Sequence, residues 1–169
     1  FFCGVAPFDP HSRGELWRFD SRTGEFVCIE EATAGMPNGM GLSSDRKTFY
    51  FVVSDEKVLY AYDFDDAAKT VSNRRSLCAD FGGAGVPDGI CVDPRNGNLY
   101  VAIWDGYRLE CRSQDGALAE SFAFPMAKVT SACIGADCIY VTTGNYPKSF
   151  EEHAVTKAGC VFSIGKEKI

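Results

Sequence analysis

The chain has 169 residues, 46% of them apolar, which is enough hydrophobic material for one globular core and too much for a disordered segment. Its net charge of −6 comes without a basic run, so no electrostatic footprint for a phosphate backbone is present and nucleic acid is not an expected partner. No apolar stretch approaches the roughly eighteen residues of a membrane span, and residues 1–20 lack a basic-then-apolar leader pattern, so no membrane partner is expected either.

Apolar residues alternate with a period of two almost throughout, in short runs rich in aromatic and β-branched residues and separated by Gly, Asp, Asn and Pro. This pattern predicts an all-β fold. In chain order, a strand-like Phe1 to Val5 precedes Leu16-Trp17-Arg18-Phe19-Asp20, the polar turn Ser21 to Gly24 and a strand from Glu25 to Glu30. Pro37-Asn38-Gly39 then opens a run from Gly39 to Ser43, followed by Thr48 to Val53, Leu59 to Asp63 and a strand around Arg74 to Ala79. The order repeats: Pro87-Asp88-Gly89, a run to Asp93, Asn98 to Ile103, Leu109 to Ser113, the turn Gln114 to Gly116 and a strand from Ala117 to Phe124. A third round supplies Ser131 to Gly135, Cys138 to Thr143 and Val161 to Ile164.

The middle runs align on Tyr50, Tyr100 and Tyr140. Four short antiparallel strands returning at about 40–50 residues are the sequence signature of β-propeller blades, in which stacked sheets cover one another's faces. At roughly 45 residues per blade, the chain supplies about three and a half four-stranded blades as an incomplete ring over residues 1–169. A four-bladed ring cut in this phase and a part of a larger propeller are both compatible with that count.

Each proline-glycine triplet holds a short oxygen-bearing side chain. Proline fixes φ and glycine is permissive, so both triplets are expected to turn the chain tightly and aim Asn38 and Asp88 in set directions. If the repeats are equivalent blades, the two side chains converge. Eight cysteines, at 3, 28, 78, 91, 111, 133, 138 and 160, show no zinc-type spacing. They are expected to be buried reduced thiols of a cytoplasmic protein, with a Cys133–Cys138 bridge across a hairpin turn as the alternative. His11 and His153 read as solvated loop residues, Glu151-Glu152 as a charged loop, and Trp104-Asp105-Gly106 as a hairpin turn with a packed aromatic. No nucleophile elbow, P-loop or zincin pattern is present.

Gly35-Met36-Pro37-Asn38-Gly39-Met40, Gly85-Val86-Pro87-Asp88-Gly89-Ile90-Cys91-Val92-Asp93, Gly97 to Gly106, Val129-Thr130-Ser131 and Ala158-Gly159-Cys160-Val161-Phe162 together resemble the family of senescence marker protein 30 (regucalcin), gluconolactonase and related lactonases. The resemblance covers essentially the whole chain in motif order. It implies a six-bladed propeller of which this chain is the C-terminal half or slightly more, completed by N-terminal blades. It also implies one divalent cation (Ca²⁺, Zn²⁺, Mg²⁺ or Mn²⁺) held by Asn38 and Asp88, with Asp88 as general base and a lactone or related ester, including organophosphates, as substrate. Thr130, in the third copy, would line the same channel mouth, and Gly135-Ala136 replaces the family's paired glycine in a turn. The family's Glu ligand and its Arg and Asn substrate clamp have no counterpart here, so the chain alone is expected to have little or no lactonase activity. A non-catalytic calcium-binding or scaffold propeller is the alternative.

Overall fold

The computed structural model describes residues 1–6, 9, 13–33, 35–145 and 159–165. His11, His153, Glu151-Glu152 and Ala158 lie outside the described residues. Among those described, every regular element is a strand, and no helix is long and apolar enough to cross a membrane.

Four antiparallel sheets follow one another, each a meander in chain order. The first contains β1 (Phe2–Val5), β2 (Gly14–Asp20) and β3 (Glu25–Thr33). The second contains β4 (Pro37–Leu42), β5 (Thr48–Val53), β6 (Val58–Asp65) and β7 (Thr70–Cys78), and the third β8 (Val86–Val92), β9 (Leu99–Trp104), β10 (Arg108–Arg112) and β11 (Leu118–Ala123). β12 (Val129–Ile134), β13 (Cys138–Thr143) and β14 (Val161–Gly165) make the fourth. The expected all-β blades are therefore observed, with three, four, four and three described strands.

The core lies between the sheets rather than within any one of them. Phe49, Phe51 and Val53 of β5 pack with Leu16 of the first sheet, whereas the alternate residues Tyr50 and Val52 pack against Leu99, Val101 and Ile103 of β9. Tyr100 and Ala102, on the other face of β9, meet Val129, Ile139 and Val141 of the fourth sheet. Side chains alternate across a strand, so a sheet covered on both faces needs an unbroken apolar run, as in Phe49 to Val53 and Leu99 to Ile103. β13 has one covered face among the described residues, and its sequence alternates accordingly: Ile139 and Val141 are buried, while Tyr140 is 49% exposed.

None of the eight cysteines is in a disulfide. Cys78 and Cys111 are buried as expected, but Cys3 and Cys133 are exposed and the remaining four lie between these extremes. No Cys133–Cys138 bridge forms, because Cys133 stands opposite Tyr140 and the hairpin keeps the two thiols out of register.

Candidate functional site

β8 lies between β4 and β12, so the first strands of three successive sheets sit side by side. All three carry a register shift at the same place. Pairing with the neighbouring strand jumps from Pro37 to Met40, from Pro87 to Ile90 and from Val129 to Ser131. The residues passed over are Asn38-Gly39, Asp88-Gly89 and Thr130. A bulge leaves its extra residue outside the ladder and re-aims the side chain, which is how each repeat presents its polar residue.

The triplets are thus strand bulges and not the tight turns expected from the sequence. Their glycines do not adopt left-handed φ either. A Cβ on Gly39 would lie 2.6 Å from both the Asp88 carbonyl oxygen and the Ile90 nitrogen. One on Gly89 would lie 2.6 Å from the Thr130 carbonyl oxygen and 2.5 Å from Ser131 Oγ. Glycine is required here because backbones of neighbouring sheets nearly touch, and that contact brings the re-aimed side chains together.

Asn38 and Asp88 face each other, and the Asn38 amide favours the ionised form of the Asp88 carboxyl. Burial disfavours the charged carboxylate and pushes the Asp88 pKa up to about 6, an effect that Asn38 partly offsets. Asn38 Nδ2 also donates to Ser54 Oγ at 3.1 Å, and the Ser54 hydroxyl donates to the Pro87 carbonyl oxygen at 2.7 Å. Thr130 occupies the equivalent bulge on β12, but its hydroxyl shares a 2.7 Å hydrogen bond with that of Thr142 on β13.

Around this pair, Trp104-Asp105-Gly106 forms part of the β9–β10 hairpin turn, as read from the sequence. Lys128 Nζ lies 3.0 Å from Asp105 Oδ1 and 4.4 Å from the Trp104 ring centroid. The segment entering β8 is held by Arg108, whose guanidinium donates to the carbonyls of Phe81, Gly82 and Ala84. Arg108 is bonded in turn to Glu110 at 2.7 Å. A cavity of about 590 Å³ lined by Phe1, Phe19, Arg22, Arg46 and Lys69 sits at the far end of the blades, away from these groups.

The donor chemistry of the pair fits a hard divalent cation: one amide oxygen, and one carboxylate whose burial is unfavourable until an opposite charge arrives. Among the described residues no cluster of three or more His, Cys, Asp or Glu forms, so the described part of the site offers two donors. Sequence reading singled out both and missed Ser54. The available signal was a hydroxyl residue ending the apolar run Phe49 to Val53, where the other repeats have Trp104 and Gly144.

The model of the SMP-30/gluconolactonase/LRE-like region matches residues 1–145. Pentonolactonase XacC of Haloferax volcanii is 37% identical over 145 residues, spanning 84% of this chain and 48% of that protein. Regucalcin of Danio rerio is 31% identical over 134 residues, 76% of this chain and 45% of that protein. The chain therefore spans about half the length of these curated relatives. Among solved structures, a luciferin-regenerating enzyme superposes with a TM-score of 0.85 at 27% identity, covering 97% of this chain and 57% of its own. A calcium-binding regucalcin of Agrobacterium tumefaciens superposes equally well, at 0.85, with 20% identity and coverage of 97% and 56%, a likeness of fold.

Proposed function

This chain belongs to the SMP-30/gluconolactonase/LRE-like family, and from that premise we propose that it contributes Asn38 and Asp88 to the divalent-cation site of a hydrolase of sugar lactones. The observation that carries the reading is the meeting of these two side chains from bulges on adjacent sheets, with the Asp88 pKa pushed up to about 6. The lactone class is supported by the likeness to a pentonolactonase.

In this proposal Asn38 lends an amide oxygen and Asp88 a carboxylate oxygen to Ca²⁺, Zn²⁺, Mg²⁺ or Mn²⁺, all of which accept such donors. When bound, the cation would polarise the lactone carbonyl and make a water more acidic. Burial raises the Asp88 pKa only while no cation is bound; beside the cation its carboxylate would be ionised and next to that water, placed to accept its proton. The water oxygen bonds to the carbonyl carbon, the ring C–O bond breaks, and the proton passes to the departing ring oxygen to leave a hydroxy acid. The same groups suit related esters, including organophosphates.

Two donors hold a cation weakly, so residues 1–169, as one partial propeller, are proposed to have little activity alone and to act with further N-terminal blades. Eight cysteines without a disulfide suit a reducing cytoplasmic compartment. Gluconolactone hydrolysis by the natural protein containing this segment, measured with each of the four cations, tests the proposal. Dependence on added cation and loss in Asp88→Ala are expected, and equal hydrolysis by Asp88→Ala would falsify the assignment. Cation binding without hydrolysis would favour the second reading, a non-catalytic calcium-binding propeller, for which the calcium-binding Agrobacterium neighbour is the precedent.

A further inference from the structure

We propose that Ser54 is a positioning residue that sets the orientation of the Asn38 amide and of the Pro87–Asp88 peptide together. The inference rests on the cation reading for its purpose but not for its geometry. Ser54 is 3% exposed and immediately follows β5, in the second sheet, yet its hydroxyl reaches across to β8 in the third. A serine hydroxyl has one proton to donate. Here that proton is committed to the Pro87 carbonyl oxygen at 2.7 Å, so towards Asn38 the oxygen can only accept. Asn38 must therefore present its NH₂ to Ser54, as the 3.1 Å contact from Nδ2 records, and its Oδ1 is turned away. The choice between amide oxygen and nitrogen is thus dictated by donor counting.

The second end of the chain of bonds matters equally. The carbonyl that Ser54 grips belongs to the residue immediately before Asp88, so one hydroxyl constrains the side chain of one proposed donor and the backbone of the other. Propeller packing does not require a hydroxyl at this position. The residue following Val53 in β5 corresponds to the one following Thr143 in β13. Ser54 N bonds the Met36 carbonyl just as Gly144 N bonds that of Lys128. In the third sheet the place is taken by Trp104, paired with Val86. Serine, tryptophan and glycine all serve the stacking, and the hydroxyl stands beside the one pair of polar bulge residues that meet.

Two measurements on the natural protein containing this segment, comparing wild type, Ser54→Ala and Ser54→Thr, test this. In cation-free solution, the side-chain ¹⁵NH₂ signal of Asn38 should be protected from solvent exchange in wild type and Ser54→Thr, and lose that protection in Ser54→Ala while the backbone spectrum stays folded. An unchanged Asn38 signal in folded Ser54→Ala overturns the inference, and so does failure of the threonine variant to restore it. In Ca²⁺ and Zn²⁺ titrations, Ser54→Ala should bind roughly 10–100-fold more weakly, the usual cost of removing a group that orients a ligand, and Ser54→Thr should stay near wild type. Asp88→Ala is titrated alongside. If it binds cations as well as wild type, or wild type binds none, the cation reading fails and the Asn38 signal alone decides the role of Ser54. If Asp88→Ala abolishes binding while Ser54→Ala leaves it unchanged, the cation reading stands and the positioning role is lost.

Discussion

Asp88 carries a charge in a place that disfavours charge, and its titration has a definite sign. Its folded pKa of about 6 lies above the ordinary 3.8, so the folded chain holds this proton more tightly than the unfolded chain. The resulting stabilisation is complete below about pH 4 and is lost as pH rises through about 6. In cation-free protein, Asp88→Asn should remove that slope. It should also raise stability at pH 7 by about 1–2 kcal/mol, a value discounted because water still reaches part of the carboxyl. Urea midpoints at pH 4 and pH 7 in the presence of a chelator check this; a wild-type slope that persists in the variant would show that another group titrates. Asn38 and Asp88 were legible as candidates because a short polar residue between proline and glycine recurs at equivalent places. Ser54 was not, because a lone serine after an apolar run gives no sign of which backbone carbonyl lies across the sheet boundary.

Among the elements, the bulged first strands do most to place the site. Gly39→Ala puts a methyl group into the backbone of β8, where neither the Asp88 carbonyl nor the Ile90 amide can move independently of its strand. Overpacking of this kind costs about 1–3 kcal/mol. The thermal midpoint should fall accordingly, and the exchange protection of the Asn38 amide should fall with it. An alanine variant with wild-type stability would mean that the two strands are farther apart than described. β10 is the other element with an outsized role. Glu110, 2% exposed, bonds Arg108 at 2.7 Å and Arg112 at 2.6 Å, and Arg112 also stacks over Phe81. Through these arginines the strand grips the segment that enters β8. Glu110→Gln leaves two guanidinium groups without their neutralising partner and should cost about 3–5 kcal/mol, read from denaturant unfolding. Period-two alternation located this strand correctly but did not reveal that its charged residues are inside.

At the scale of the whole molecule, the repeat, the strand order and the division into sheets were all present in the sequence. They depend on local chemistry: alternation selects strands, continuous apolar runs demand cover on both faces, and recurrence at a fixed interval calls for stacked equivalent units. Only the tertiary structure decided that the proline-glycine triplets are bulges and that their glycines answer to a neighbouring backbone. It alone joined Asn38, Ser54, Pro87 and Asp88 into one connected group, and it alone buried Glu110 between two arginines. Periodicity tells which face of a strand is covered. It does not tell which atoms of a sheet some fifty residues away in sequence will lie against that face. That depends on how bulged strands stack, and the energy that settles it comes from contacts between sheets, each of which is incomplete until the next has folded beside it.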